Sequence, residues 1–224
     1  MKSVFISLIT ILFLSSCGSE EIKMQYDAYS NEHLVSEDDG SSGALSYRGV
    51  PLELEIENNN EREYIVQHYD QQKGDIKFRL SKVPSGLFAE RMVAKDPSLS
   101  FDEIYNDIAS EQVFYLEFQE NQKQDLMKKY FKDDMDAAVS YMSFGIQENI
   151  RIRTLEGEII KPNYTQYERT FHLTPYERIM INFSGLDENK EYELVYQDEL
   201  FGKGEIIFPL PVKTFIQQNS NYAI

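Results

Sequence analysis

The chain has 224 residues, with 22 Lys and Arg against 38 Asp and Glu, a formal charge of −16. That balance argues against nucleic acid as a partner, since phosphate binding needs a concentrated basic patch. Apolar residues make up 42% and aromatics 13%, too many for wholesale disorder, and one Cys with no Trp excludes a disulfide framework and a Cys-based zinc site.

Taken in chain order, the first element is an apolar run, Val4 to Leu14, preceded by Lys2 and followed by Leu14-Ser15-Ser16-Cys17. Eleven residues are too few to span a bilayer, which takes about 20. A basic start, a short apolar run, two small residues and a Cys resemble the signal peptide and lipobox of bacterial lipoproteins. The resemblance implies removal of residues 1–16, a diacylglyceryl thioether on Cys17 and acylation, as with palmitate, of the new amino terminus. Acyl chains contribute about 0.8 kcal/mol per buried methylene, so two or three anchor a protein stably. Gly18 stands where an Asp would resemble an inner-membrane retention signal, which leans toward the outer membrane. Ser19-Glu20-Glu21 resembles the acidic surface-export signal of Bacteroidota lipoproteins, which leaves the periplasmic and surface faces both open.

Residues 17–46 are polar, acidic and sparse in aliphatics, with Ser36-Glu37-Asp38-Asp39-Gly40-Ser41-Ser42-Gly43 the clearest linker. They read as a flexible tether holding the domain roughly 30 Å from the bilayer. Glu37-Asp38-Asp39-Gly40 lacks the alternating oxygen ligands and distal Glu of an EF-hand.

Residues 47–224 read as one domain. Val50, Leu52, Leu54 and Ile56 alternate with Pro51, Glu53, Glu55 and Glu57, a half-buried strand with a charged outer face. Asn58 to Asn60 is a turn signal. Glu63–Tyr69 and a strand opening at Gly74 form a hairpin, with Ile76, Phe78 and Leu80 inward and Lys77 and Arg79 outward. Pro84-Ser85-Gly86 is a break. Ser100 with Glu103 forms a capping box for a helix carrying Phe101, Ile104, Tyr105 and Ile108, whose apolar stripe is expected on the sheet. Strands follow around Phe114–Phe118, Ala137–Phe144, Asn149–Thr154, Glu158–Lys161, Ile179–Phe183, Tyr192–Tyr196 and Glu205–Phe208, with a second helix in Asn121–Phe131. Short strands without regular intervening helices predict a mainly β chain. The expectation is an antiparallel β-sandwich, Greek-key or Ig-like, with two short helical insertions; a closed barrel is the alternative.

Catalytic motifs are scarce. His33, His68 and His172 lie far apart, with no H-E-x-x-H pair. No G-x-S-x-G occurs, and the one Cys is assigned to the anchor. Phe201-Gly202-Lys203-Gly204 reads as a hairpin turn, without Walker spacing. No metal or cofactor motif is found. Tyr164 and Tyr167, in a polar stretch expected between strands, offer rigid amphipathic contacts for sugars or proteins, or pack at a sandwich edge.

The expected function is therefore that of a non-enzymatic, membrane-anchored envelope lipoprotein that binds or scaffolds an envelope protein or glycan. The alternatives are a surface sugar- or nutrient-binding lipoprotein, and a hydrolase working through two carboxylates across a cleft.

Overall fold

Alternating apolar and charged side chains generate strands along almost the whole body of the chain, and the way they pair defines two sheets. The structure, a computed structural model, describes residues 45–59, 62–171 and 173–219. Cys17, His33 and the rest of residues 17–44 of the expected tether, His172, and Asn60 of the expected Asn58–Asn60 turn lie outside them; Ser46, expected in the tether, begins a strand. The described residues belong to one compact unit, Gly43–Ile224.

The larger sheet has seven strands in the order β1 (Ser46–Tyr47), β2 (Val50–Asn59), β3 (Arg62–Lys73), β4 (Ile76–Val83), β5 (Glu111–Glu120), β9 (Tyr176–Ser184), β8 (Tyr164–Glu168). The smaller has four, β11 (Gly204–Leu210), β10 (Tyr192–Asp198), β6 (Ile150–Thr154), β7 (Ile159–Ile160). All of these pairings are antiparallel. The first five strands form a meander. The chain then crosses between sheets from β5 to β6 and from β9 to β10, with β9 beside β5 and β10 beside β6. Those two interlocked pairs hold the sheets as a sandwich.

The core follows from the period of two. Ile76, Phe78 and Leu80 of β4, Phe114, Leu116 and Phe118 of β5, and Ile179, Ile181 and Phe183 of β9 all face inward and are fully buried. They meet Ile150, Ile152, Leu194, Tyr196, Ile206 and Phe208 of the smaller sheet. The β3–β4 hairpin turns at Gly74-Asp75, since Lys73 pairs with Ile76, and Gly74 takes φ +63°. The strand expected to open at Gly74 therefore opens two residues later, at Ile76.

The opposite face of the larger sheet is partly covered by α1 (Ser85–Lys95), a helix that begins at the Pro84-Ser85-Gly86 break. Leu87 and Phe88 bury against Val66, Val83, Val113, Tyr115 and Met180. Proline and helix are compatible here because Pro84 sits at the N-cap, where no intrahelical N–H bond is required. Gly86 is dictated by space: a Cβ there would lie 2.8 Å from the Tyr64 ring. Ser100 does cap α2 (Phe101–Ile108), accepting from Glu103 N–H. The stripe of α2 does not lie on the sheet as expected; only Ile108 joins the cluster on the sheet's outer face.

Further differences come from helices that the alternation obscured. Ala137–Phe144 is helical, not a strand: α4 (Met135–Ser140) runs into a π-turn (Tyr141–Gly145) and a 3₁₀ turn (Ile146–Asn149). Ala138, Met142 and Ile146 bury at intervals of four, the helical repeat. α3 is shorter than expected, Leu126–Tyr130, and a terminal helix, α5 (Lys213–Asn219), follows Pro211.

Beyond α1, the outer face of the larger sheet carries a row of alternating charge across five strands. Asp70, Arg79, Glu117, Arg178 and Glu168 are successive cross-strand neighbours. Arg79 donates to Asp70 at 2.8 Å and Arg178 to Glu117 at 2.7 Å. Burial acts to raise the Asp70 carboxyl, but Arg79 and Lys77 outweigh it and hold it below the usual carboxylate range. Glu55 is likewise held low, chiefly by its hydrogen bond to His68. Depressed carboxylates stabilise the fold above their unfolded pKa, near 4, and that contribution is lost as pH falls through the lower folded value. Urea unfolding is therefore expected to show stability falling below about pH 4, with a shallower acid dependence in Asp70→Asn.

Candidate functional site

Strand β4 carries the sandwich core along one side: Ile76, Phe78 and Leu80 all point between the sheets. The next residue in that inward register is Lys82, whose neighbours across the sheet are Gln67 and Phe114. The apolar run of β4 ends at this position, and Lys82 lines a cavity of about 730 Å³.

Its walls come from elements distant in sequence. Arg62, Ile65 and Gln67 lie on β3, and Ser85 and Gly86 form the start of α1. Phe101 and Tyr105 of α2 stack with ring centres 5.7 Å apart and planes 7° apart, and Tyr105 is 42% exposed. The last wall is Glu188, in the β9–β10 turn, with Lys213 and Ile216 of α5. Glu188 and Lys213 are bound twice, by Lys213 N–H donating to the Glu188 carbonyl at 2.8 Å and by a 3.1 Å side-chain ion pair.

Ionic pairing within the site is uneven. Arg62 donates to Glu90 at 3.3 Å, Tyr64 donates to the same carboxylate at 3.0 Å, and the Arg62 guanidinium lies 4.6 Å from the Phe101 ring centre. Glu90 is buried, and its Oε2 has no hydrogen-bond partner among the described residues. Lys213 is paired with Glu188. Lys82, half-buried, has no ion pair among the described residues. Burial pushes its ammonium below the usual lysine range, with Glu188 acting to raise it and Lys213 to lower it. Helix α1 has no side-chain cap: the Ser85 hydroxyl donates instead to the Glu111 carbonyl at 3.3 Å. The cavity thus presents a cation without an ion pair among the described residues and a helix start without a side-chain cap, and its lining also includes the stacked Phe101–Tyr105 pair.

A second cluster superficially resembles hydrolytic machinery. His68 Nδ1 lies 2.7 Å from Ser81 Oγ, and Nε2 lies 2.8 Å from Glu55. A serine nucleophile needs access to substrate and oxyanion donors beside it. Ser81 is instead buried within β4, on the sheet face opposite Lys82, and does not line the cavity. The arrangement satisfies three polar groups on neighbouring strands.

Tyr164 and Tyr167 lie on strand β8 and not in a loop between strands. Tyr164 pairs with Asn182 and Tyr167 with Ile179, so they face opposite sides of the sheet. Tyr164 is 40% exposed, while Tyr167 packs against the core and donates to Glu177 at 2.6 Å. The two are not brought to one surface. Among the described residues, no group of three His, Cys, Asp or Glu is placed to hold a metal ion, and no helix is long and apolar enough to cross a membrane.

Lys82 went unnoticed in the sequence, although its signal was present: positions 76, 78, 80 and 82 share one face. No protein-family model, curated protein or solved structure matches the chain.

Proposed function

We propose that this protein is a lipid-anchored, non-enzymatic binding module of the cell envelope, held at the membrane by Cys17, with the cavity around Lys82 as its binding site. The observation that carries the binding half is the cavity itself. Its volume lies in the range of small-molecule sites, about 300–1,000 Å³, and its walls mix charged and polar side chains with aromatic and aliphatic ones. This favours capture of a small molecule, the nutrient-binding reading, over passive scaffolding. The anchor half rests on the lipobox resemblance of residues 14–17 and on the 11-residue apolar run before it.

Cys17→Ser removes the thiol that would carry the lipid. The expected result is transfer of the protein from the membrane pellet to the soluble fraction on cell fractionation. Unchanged pelleting of the variant overturns the anchor. The binding half is tested separately: ligands that bind only the native state raise Tm.

A further inference from the structure

Three observations at the cavity point to the charge of its ligand. Lys82 is a cation with no ion-pair partner among the described residues, on the inward face of a strand otherwise filled by Ile76, Phe78 and Leu80. The charges acting on it, Glu188 and Lys213, are opposite in sign and already bound to each other at 3.1 Å. They offset one another and leave the ammonium's own charge unbalanced. Beside it, α1 presents Ser85 and Gly86 with no side-chain cap, so its N-terminal N–H groups and the positive end of its dipole also favour an anion.

The remaining walls limit what else that anion carries. Phe101, Tyr105, Ile65 and Ile216 offer aromatic and aliphatic surface for an apolar body. The other two cations of the cavity, Arg62 and Lys213, are committed to Glu90 and Glu188, and Glu63 adds a carboxylate at the rim. A doubly charged group such as phosphate would bring a second negative charge with no free cation among the described lining residues to meet it. A single carboxylate matches the one cavity ammonium that has no ion pair among the described residues.

We infer that the cavity takes a small organic monocarboxylate, its carboxylate on Lys82 and the start of α1 and its apolar body against Phe101 and Ile216. This rests on the cavity being a binding site and names the class of ligand. Lys82 then has a defined cost and a defined use. Without ligand it is a half-buried cation in an open cavity, with no ion-pair partner among the described residues, which does not help the fold. With ligand it supplies a charge-assisted contact.

The test uses the full chain in detergent with four probes: benzoate, 3-phenylpropionate, 3-phenylpropionamide and inorganic phosphate. At tenfold excess over Kd, a carboxylate probe should raise Tm by about 4 °C. The amide and phosphate should leave it unchanged. Lys82→Met should abolish the carboxylate response while its own Tm without ligand stays equal to or above wild type, since a cation without an ion pair among the described residues has been replaced by an apolar chain of similar length. Carboxylate affinity in the wild type should also weaken as pH rises and Lys82 loses its proton, with Glu188, Lys213, Glu63 and Arg62 the other charges around it.

Equal responses to carboxylate and amide, or a response to phosphate alone, overturn the ligand class but leave the cavity as a binding site. No response to any probe overturns the class and removes support for the binding site as well. A carboxylate response that survives in Lys82→Met overturns the role of Lys82. If Lys82→Met fails to fold, the wild-type carboxylate-against-amide comparison decides.

Discussion

Phe118→Ala should lower the stability of the domain by about 4 kcal/mol, within the range for deleting a fully buried Phe. Phe118 has no solvent exposure and sits where the two sheets meet. Its ring centre lies 5.8 Å from Phe78 of the same sheet, at 83°, and 5.7 Å from Tyr196 of the smaller sheet. It also lies 5.8 Å from Phe201 in the β10–β11 loop. Truncation leaves a void bordered by rings from two strands and a loop, which cannot collapse without moving both sheets. Urea unfolding should show a lower midpoint with an unchanged slope, since the surface exposed on unfolding scarcely changes. A loss below about 1.5 kcal/mol would mean that the site repacks, and that the aromatic contacts between the sheets matter less than the geometry implies.

The second large effect is expected at Asp198, a buried carboxylate closing the β10–β11 loop. Its Oδ1 accepts from Leu200 N–H at 3.0 Å, Phe201 N–H at 3.1 Å and the Tyr196 hydroxyl at 3.1 Å, and its Oδ2 accepts from Lys203 N–H at 2.8 Å. One side chain therefore satisfies three backbone donors in a tight loop where Gly202 and Gly204 both take positive φ. Asp198→Ala leaves those donors without their acceptor and should cost about 3 kcal/mol. Asp198→Asn keeps one acceptor and should lose less. The loop also carries Phe201 into the aromatic cluster, against Phe78, Phe118, Tyr130 and Phe131. Asp198→Ala and Phe118→Ala should consequently fall short of additivity in the double variant, because each loosens contacts that the other needs. Strictly additive losses would separate the loop from the core.

These effects lie at the end of the sandwich where Phe201 packs, whereas the cavity lies where β4 leads into α1. Core variants thus serve as stability controls for ligand experiments. A variant that lowers Tm but keeps the carboxylate response would show that the response follows the cavity and not general stability.

Much of the sandwich is visible in the order of residues, because a half-buried strand must alternate. The run from Val50 to Ile56, the inward positions of β4 and β5, and the cap at Ser100 need only local information. Short segments with two compatible periods could not be assigned this way. In Ala137–Phe144 the apolar residues fit both an alternating and a four-residue spacing, and burial of Ala138, Met142 and Ile146 against the completed core selects the helix. Pro84-Ser85-Gly86 looks like an interruption until Tyr64 and the outer face of the sheet are in place to receive α1. Tyr164 and Tyr167 become strand residues only because β9 is there to pair with them.

The sequence by itself determined the mainly β architecture, the charged outer strand faces and the lipobox resemblance at Cys17, since each depends on neighbours within a few residues. Tertiary structure alone decided the candidate site. Lys82 holds an inward position that alternation can identify, but a lysine at the end of a strand ordinarily extends into water. It has no ion pair among the described residues because the β9–β10 turn and α5 bring to the same cavity a Glu188–Lys213 pair that is already neutral. Electrostatic balance depends on distance in space, and no spacing along the chain encodes it.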